Sequence, residues 1–345
     1  MEKNDDLSPV TVIVNTYNEA KIIRRKIENI SCLNYPREKL EVLVIDDCSS
    51  DGTGDIAAEA LAEFEINGSV IRNAKRLGLN ESLNLALLKA SYDVVCVTDS
   101  DVMLHRDALR KAVAVLKNFD DAGGVTGKIV PVYTVEGFAT LSENSYRFFY
   151  DKCMLAESAV HSSFPGNGPL MVFKKAYVSH IPADLGSTDA NIAMSIIKSG
   201  KRFLYVPEAL IYEPVPEKVS QQRLQKVRRA RRLIQVFLRN LDVFGNGRYG
   251  KFGTVIFPLK FLIHVVCPLS LFLGLVSVFL WVAQSGNFML ELSLLIMTGI
   301  LLGVFAFSKR VRAFLVSFIF HQVYLLLGLF SSRKKSLFWK TIERR

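Results

Sequence analysis

The feature that most constrains this chain is a short apolar segment, residues 94–98, that ends in two acidic residues. These are Asp99 and Asp101, one position apart. Residues i and i+2 of a strand point to the same side, so the two carboxylates can converge where the strand gives way to a loop. Converging carboxylates suit a hard divalent cation that also binds substrate phosphates. The alternative is an ordinary solvated turn, because Asp and Ser are common in turns.

Apolar segments before this point alternate with segments of helical character, and this spacing predicts an α/β fold built on a doubly wound, mostly parallel sheet. In such sheets ligands bind beyond the carboxyl ends of the strands. Asp46 and Asp47 end the second predicted strand as Asp99 ends the fourth, so we expect both acidic pairs at one edge. The predicted strands are 10–17, 40–45, 69–72 and 92–98, and the predicted helices are about 19–30, 55–64 and 79–90.

The pattern continues with less regularity to about residue 216. Gly166 and Gly168 lie in a tight loop that either lets the backbone approach a ligand or is a plain connector. Asp189 precedes a helix and is a plausible N-cap. Pro207, Pro214 and Pro216 are expected to end the domain. Further strands are predicted at 123–131, 170–173 and 201–206, and further helices at 106–118, 136–158 and 190–199.

Composition separates a polar part from an apolar part. The 345 residues are 50% hydrophobic and 22% charged, with a net charge of +10, and apolar residues concentrate after position 253. Basic residues concentrate in 218–251 and 333–345, beside the apolar segments, which favours contact with anionic lipid headgroups. Basic residues interleaved with stacking aromatics on a strand are not seen, so we expect no nucleic-acid partner.

The apolar part predicts an integral membrane protein. Residues 217–244 read as a basic amphipathic helix in the membrane interface or, alternatively, as a helix packed on the domain with a solvated basic face. Two spans are expected, at about 256–283 and 288–307. The apolar segment 313–330 is ambiguous, because a crossing there would leave the basic tail outside, against the positive-inside rule. The predicted divisions are 1–8, 9–216, 217–251, 252–330 and 331–345.

The five cysteines are odd in number and widely spaced, which argues against a disulfide framework or a zinc site. Three of them lie in or beside apolar segments and are expected to be buried thiols. Such cysteine usage fits a reducing compartment. The first eight residues are polar and acidic, so no secretory signal is expected there. We therefore expect a protein of the cell membrane with its large domain on the cytoplasmic side.

Five short motifs occur in order along the chain. They are Asn15-Thr16-Tyr17-Asn18-Glu19, Asp46-Asp47-x-Ser49-x-Asp51-Gly52-Thr53, Asp99-x-Asp101, Thr188-Asp189 and Gln225-x-x-Arg228-Arg229. Any one motif is weak, whereas five in order at suitable separations are specific. Together they resemble the membrane-embedded branch of the family 2 glycosyltransferases, akin to hyaluronan, cellulose and succinoglycan-type synthases, and the resemblance covers roughly residues 9–232.

This resemblance implies a GT-A fold and a nucleotide-diphospho sugar donor. It implies that Asn18, Glu19 and Asp47 hold the nucleotide, with Asp46 beside them. Asp99 and Asp101 would face the diphosphate, the second through Mg²⁺ or Mn²⁺, and Asp189 would be the general base of an inverting transfer. Gln225, Arg228 and Arg229 would contact the donor diphosphate and the acceptor.

The chain departs from the family pattern at two motifs. Arg229 stands where relatives carry Trp, which puts stacking of the acceptor on an indole in doubt, and Thr188 leaves Asp189 as the one carboxylate of its motif. We predict transfer of a hexosyl or N-acetylhexosaminyl group to a polyprenyl-linked saccharide or a growing polysaccharide. The missing Trp and the few spans favour single or limited addition. The alternative is a membrane scaffold or sensor that binds a nucleotide sugar without catalysis.

Overall fold

The structure is a computed structural model that describes residues 7–133, 138–214, 219–285 and 309–333. The predicted span at 288–307 lies outside the described residues. The strands are β1 (Val10–Thr16), β2 (Leu40–Asp46), β3 (Gly68–Arg72), β4 (Val94–Asp99), β5 (Met103–Leu104), β6 (Ala122–Val132), β7 (Met171–Lys174) and β8 (Arg202–Pro214). The first seven helices are α1 (Ile23–Ser31), α2 (Thr53–Glu63), α3 (Leu79–Lys89), α4 (Ala108–Asn118), α5 (Phe138–Val160), α6 (Thr188–Lys198) and α7 (Val219–Arg239).

The described strands form one eight-stranded mixed sheet in the order β3-β2-β1-β4-β7-β6-β8-β5. Strands β1 to β4 pair in parallel, β6 pairs in parallel with β8, and β7 and β5 run antiparallel to their neighbours. Val and Ile dominate β1 and β2, and both strands are buried almost throughout, as expected for central parallel strands covered on both faces. The α/β prediction is confirmed.

Helices cover both faces of the sheet. Helices α1, α2 and α4 close one face around residues such as Ile27 and Val113, and α3 and α6 close the other around residues such as Leu83 and Ile196. The register of the central strands sets Thr16 opposite Asp46 and Asn15 opposite Asp99. The carboxyl ends of β1, β2 and β4 therefore meet at one edge, which carries both acidic pairs.

The last strand differs from the prediction. The sequence predicts a strand at 201–206 that Pro207 ends, but β8 continues to Pro214. The pairing with β6 shifts register after Val206, so that Lys128 faces Leu210, and residues 207–209 bulge out of the ladder. A bulge accommodates a proline that cannot donate a ladder hydrogen bond. The second half of β8 pairs with β5, a strand the sequence did not predict.

Beyond the sheet, α7 leads into a long apolar helical segment. It contains two π-helical turns, Phe252–Ile256 and Leu262–Val266. Helix α8 (Phe257–Phe261) lies between these turns, and α9 (Cys267–Ser285) follows the second. Among the described residues, Phe252–Val282 is the one helix long and apolar enough to cross a membrane by length and composition. Its first part packs on the sheet domain, where Phe252 and Phe257 contact Phe164 and Phe237.

The ambiguous segment 313–330 lies in one helix, α10 (Lys309–Phe330), whose C-terminal half packs on α7. A Cβ at Gly328 would lie 2.8 Å from the backbone nitrogen of Arg231, so the two helices approach closely. Gln235 also donates a hydrogen bond to the carbonyl of Ser332, at 2.8 Å. Several apolar side chains of α10, including Phe318 and Ile319, are exposed.

All five cysteines are free, as predicted. The expectation that three of them are buried is wrong, since only Cys96 on β4 is buried. The apolar neighbours that suggested burial belong to helix faces and loops that leave the other four side chains exposed.

Candidate functional site

Two loops at the carboxyl edge of the sheet are joined by hydrogen bonds. In the loop between β1 and α1, the Asn18 amide N–H donates to the Ser49 hydroxyl, and the Asn18 side-chain oxygen accepts from the Ser50 N–H, both at 2.9 Å. The Glu19 N–H donates to the Thr53 hydroxyl at 2.8 Å. Asn18 and Cys48 both have positive φ, a conformation that Asn tolerates and that costs energy at other residues. The predicted residues Asn18 and Glu19 therefore lie against the loop that follows Asp46 and Asp47.

Asp47 is buried and organises the segment after β3. One carboxylate oxygen accepts hydrogen bonds from Asn73, from the Ser82 hydroxyl and from the Leu77 N–H, and the other accepts from the Gly78 N–H at 2.9 Å. Asp46 accepts from the Ser49 N–H. Asp47 thus holds the loop 73–78 and the first turn of α3 in place, a contribution that the motif alone did not indicate.

Asp99 and Asp101 flank the turn between β4 and β5, and both are half-buried with Ser100 buried between them. Helix α1 packs beneath this turn. Among the described residues, no three His, Cys, Asp or Glu side chains converge to form a complete metal site. Two adjacent carboxylates that leave further positions to water and a diphosphate fit Mg²⁺ or Mn²⁺, which keep several non-protein ligands. The donor set therefore fits the predicted cation.

Asp189 lies in the first turn of α6, and Ser187 is the N-cap residue, so the predicted N-cap role of Asp189 is wrong. The Asp189 carboxylate accepts a hydrogen bond from the Ala190 N–H at 2.9 Å. Close packing around the carboxyl raises its pKa, while hydrogen bonds from Ser187 and Ala190 and the charges of Arg229 and Arg232 oppose that rise. A Cβ at Gly168 would lie 3.9 Å from the Cβ of Asp189, so the loop with Gly166 and Gly168 borders this carboxylate.

Helix α7 carries the remaining predicted residues and faces both carboxylate groups. Gln225 is buried one helical turn before Arg228. Burial and the neighbouring arginines lower the pKa of Arg228 to about 10, against the opposing charge of Asp99. Arg232 donates to the carbonyl of Gly186 at 2.8 Å, which fastens α7 to the loop that precedes Asp189.

The site has two halves. The strand-end half consists of the loops after β1, β2 and β4, with Asn18, Glu19, Asp46, Asp47, Asp99 and Asp101. The helical half consists of the start of α6 and the facing side of α7, with Asp189, Gln225, Arg228 and Arg229. Arg228 lies close enough to Asp99 for the two charges to interact, so α7 connects the helical half to the strand-end half.

Sequence reasoning missed two residues that support these groups. Glu213 on β8 is buried and binds Arg229 at 2.9 Å and Arg147 of α5 at 3.1 Å. Lys26 lies fully buried beneath the turn after β4. The sequence feature that could have revealed Lys26 is its place as a single charged residue on the apolar face of α1, beside Ile23, Ile27 and Ile30. Glu213 gave no such signal, because its partners are distant in the sequence.

Two family models match the chain. The model described as glycosyl transferase family 2 matches residues 11–176, and the model described as glycosyl transferase family group 2 matches residues 94–331, more than half of the chain. The probable glycosyltransferase YdaM of Bacillus subtilis is 24% identical, over 96% of this chain and 83% of its own length. A poly-beta-1,6-N-acetyl-D-glucosamine synthase of Staphylococcus aureus is 27% identical over 76% of this chain, which spans 63% of that protein.

Solved structures support the fold. The mannosyltransferase PcManGT of Pyrobaculum calidifontis, in complex with GDP-Man and Mn²⁺, aligns with a TM-score of 0.78 and 26% identity over 96% of this chain and 88% of its own. S. aureus TarS 1–349 in complex with UDP-GlcNAc aligns with a TM-score of 0.51 and 18% identity over 73% and 72%, which bears on the fold alone. The expected GT-A-type fold is thereby confirmed. The chain belongs to family 2 of the glycosyltransferases, enzymes that transfer a sugar from a nucleotide sugar.

Proposed function

We propose that this protein is an inverting glycosyltransferase that moves a hexosyl or N-acetylhexosaminyl group to a membrane-associated acceptor. The observation that carries the proposal is the position of α7, whose arginines act on Asp99 in one half of the site and on Asp189 in the other. A relative whose structure holds GDP-Man supports a nucleotide-diphospho sugar as the donor.

In the strand-end half, Asn18, Glu19, Asp46 and Asp47 hold the nucleotide. Asp99 and Asp101 would hold Mg²⁺ or Mn²⁺, which would supply positive charge to stabilise the diphosphate as it leaves. A relative whose structure holds Mn²⁺ supports this choice of cation. Gln225 and Arg228 add hydrogen bonds and positive charge on the opposite side of the donor. Arg228 remains charged at neutral pH, because its lowered pKa is still about 10.

In the helical half, Asp189 accepts the proton of the acceptor hydroxyl. The acceptor oxygen forms a bond to the anomeric carbon from the side opposite the breaking bond to the diphosphate, and the configuration inverts. General-base catalysis of this kind contributes about 10²–10⁴-fold to a rate. Only ionised Asp189 can accept the proton. Activity is therefore present above the pKa of Asp189 and is lost as the pH falls through it. Because burial raises this pKa, the loss begins at a higher pH than it would for an ordinary carboxyl.

The acceptor side is proposed to face a membrane of the cell, with the sheet domain in the cytoplasm. Residues 9–216 form the catalytic domain, 217–251 lie at the membrane surface and 252–330 form the membrane region. The exposed apolar side chains of α9 and α10 support this arrangement. An acceptor such as a polyprenyl-linked saccharide or a growing polysaccharide would reach Asp189 along α7. Membrane lipids would contact the basic side chains of α7.

The test uses the full chain, purified and reconstituted in lipid, with Mn²⁺ and a panel of donors that includes GDP-mannose and UDP-N-acetylglucosamine. Release of nucleoside diphosphate and transfer to lipid-linked acceptors are measured. Asp189→Asn is expected to lower transfer by at least about 100-fold while leaving donor binding intact. Normal transfer by this variant would show that Asp189 is not the base.

The same assay separates the catalytic proposal from a sensor or scaffold. Donor binding in a thermal-shift titration, without hydrolysis or transfer for any donor, would favour the sensor. Product length on a gel in excess donor separates single addition, which we expect, from polymerisation.

A further inference from the structure

Lys26 is a charged residue in the apolar layer between α1 and the sheet. Its side chain has no exposed surface, and its neighbours on the same helix face are Ile23, Ile27 and Ile30. Burial lowers its pKa to about 7, although the nearby Cys96 and Asp99 oppose that change. An ammonium group at this position must be stabilised by hydrogen bonds, because burying it is costly without them.

The Lys26 nitrogen bonds to both ends of the turn that carries Asp99 and Asp101. It donates to the Thr98 hydroxyl and to the Val102 carbonyl, each at 2.8 Å. Thr98 is the residue before Asp99, and Val102 is the residue after Asp101. Lys26 thus spans the turn from beneath and links the end of β4 to the start of β5.

A second residue of α1 holds the next part of the chain. Asn29 donates from its side-chain amide to the carbonyl of Leu104 at 2.9 Å and accepts from the Leu104 N–H at 2.8 Å. On the other side, β5 pairs with β8. The strand after the turn is therefore fixed independently of Lys26, and Lys26 acts on the turn itself.

We propose that Lys26 is a positioning residue that fixes the separation of Asp99 and Asp101 and so sets the affinity of this turn for a divalent cation. The inference rests on the proposed function, which assigns these two carboxylates to Mg²⁺ or Mn²⁺. It adds a residue that never touches the cation, the donor or the acceptor.

The hydrogen bonds matter more than the charge. A neutral lysine amine keeps two N–H groups, which match the two acceptors, so the bracing persists in both protonation states. Loss of the side-chain nitrogen leaves two buried acceptors without a donor, and the turn must open to satisfy them. The charge has the opposite effect on a metal ion, since a nearby ammonium repels a divalent cation. The direction of the change in affinity therefore separates bracing from a simple charge effect.

The test compares the full chain with its Lys26→Met variant, which keeps side-chain length but removes the nitrogen. Mn²⁺ binding is measured without donor, from the electron paramagnetic resonance signal of the free ion. We expect binding to weaken by about 10-fold or more, the usual consequence of removing a group that orients metal ligands. Amide hydrogen exchange in residues 99–102 of the metal-free variant should accelerate, and kcat at saturating Mn²⁺ should change less than the Mn²⁺ requirement.

Two threonine variants make the test independent of the folding of Lys26→Met. Thr98→Val removes one of the two acceptors and should weaken Mn²⁺ binding in the same direction, by a smaller factor. Thr11→Val is the matched control, because Thr11 is an equally buried strand threonine whose hydroxyl bonds Glu41 at the opposite end of the sheet. It should leave Mn²⁺ binding unchanged.

Unchanged or tighter Mn²⁺ binding in Lys26→Met, or in Thr98→Val if the first variant does not fold, would overturn the positioning role. A wild-type chain that binds no Mn²⁺ at this turn would overturn it together with the proposed metal step. If the wild-type chain binds Mn²⁺ and the variants bind it equally well, the proposed function stands and Lys26 has no part in it.

Discussion

The strand-end half of the site is held by short hydrogen bonds between loops that follow adjacent strands, whereas the helical half is assembled from elements far apart in the chain. Asn18, Ser49 and Thr53 join the loops that follow β1 and β2, two strands that pair directly. The helical half depends on α7, which is held by Arg232, by Glu213 and by contact with α10. A family motif can therefore specify the first half, while the second half depends on the packing of the apolar helices.

The largest expected effect concerns the attachment of the apolar helix to the catalytic domain. Lys260 of α8 forms a buried ion pair with Glu157 of α5 at 2.7 Å, and Glu157 also accepts from the Phe164 N–H. Lys260→Met leaves an uncompensated buried carboxylate, which typically costs about 3–5 kcal/mol of unfolding free energy. Thermal unfolding in detergent would measure the loss.

Two further variants show whether the ion pair itself is responsible. The double variant Glu157→Gln with Lys260→Met should recover most of the stability, because the unpaired charge is gone. Lys251→Met, at the exposed position immediately before the apolar segment, should have little effect. If Lys260→Met unfolds at the wild-type temperature, the helical half does not depend on this contact.

How much the sequence could predict follows the same division. The acidic residues after β2 and β4 were found because a strand places its motif within a few positions of its own end. Glu213 was not found, because it pairs with Arg147, 66 positions away in the sequence, and because it lies beyond Pro207, where the sequence predicts the end of the strand. The bulge after Val206 depends on pairing with β6, and no local pattern encodes it. The long apolar segment was found by composition, but the burial of Phe252 and Phe257 depends on the aromatic side chains of the domain.

The second prediction concerns the strand-end half. Asp47→Asn replaces a carboxylate oxygen that accepts a backbone N–H with an amide group that cannot, so the loop 73–78 loses part of its support. Hydrogen bonds to a charged group are worth about 1.5–3 kcal/mol. We expect a loss of stability of this size and a donor KM that rises about 10-fold, measured by nucleoside diphosphate release.

The matched control for Asp47 is Glu41, at the opposite end of β2. Its carboxylate accepts from the Thr11 hydroxyl and from the N–H and hydroxyl of Ser91. Glu41→Gln should lower stability by a similar amount and leave the donor KM unchanged. Equal donor KM values for the two variants would show that Asp47 does not act on the donor.

The third prediction concerns the close contact between α10 and α7. Gly328→Ala places a methyl group against the backbone of Ala230 and Arg231, which cannot move aside as a flexible side chain would. Overpacking of this kind costs about 1–3 kcal/mol. Displacement of α7 should raise the acceptor KM more than the donor KM. The control is Gly274→Ala on α9, where a Cβ would meet nothing within 4 Å and where alanine favours the helix. Similar behaviour of the two variants would mean that α10 does not position α7.

The smallest expected effect tests the charge of Arg229 on Asp189. Arg229 lowers the pKa of Asp189 against the effect of burial, so Arg229→Met should raise that pKa further. The proposed base accepts a proton only when it is ionised, so the acid limb of the pH–rate profile should move to higher pH. Activity should fall more at acid than at alkaline pH. Because the Arg229 side chain is half-exposed, its charge is worth about 1 kcal/mol or less, and the loss at the acid limb should stay below about 10-fold.

Two companion variants tell the charge apart from the position of Arg229. Glu213→Gln releases one of the groups that hold Arg229 and should displace the acid limb in the same direction by less than Arg229→Met. Arg231→Met, on the same helix but absent from the groups that act on Asp189, should leave the profile in place. An acid limb that stays fixed in Arg229→Met while Asp189→Asn abolishes transfer would mean that burial and the hydrogen bonds from Ser187 and Ala190 set the protonation of the base. The helical half would then depend on α7 for its shape and not for its charge.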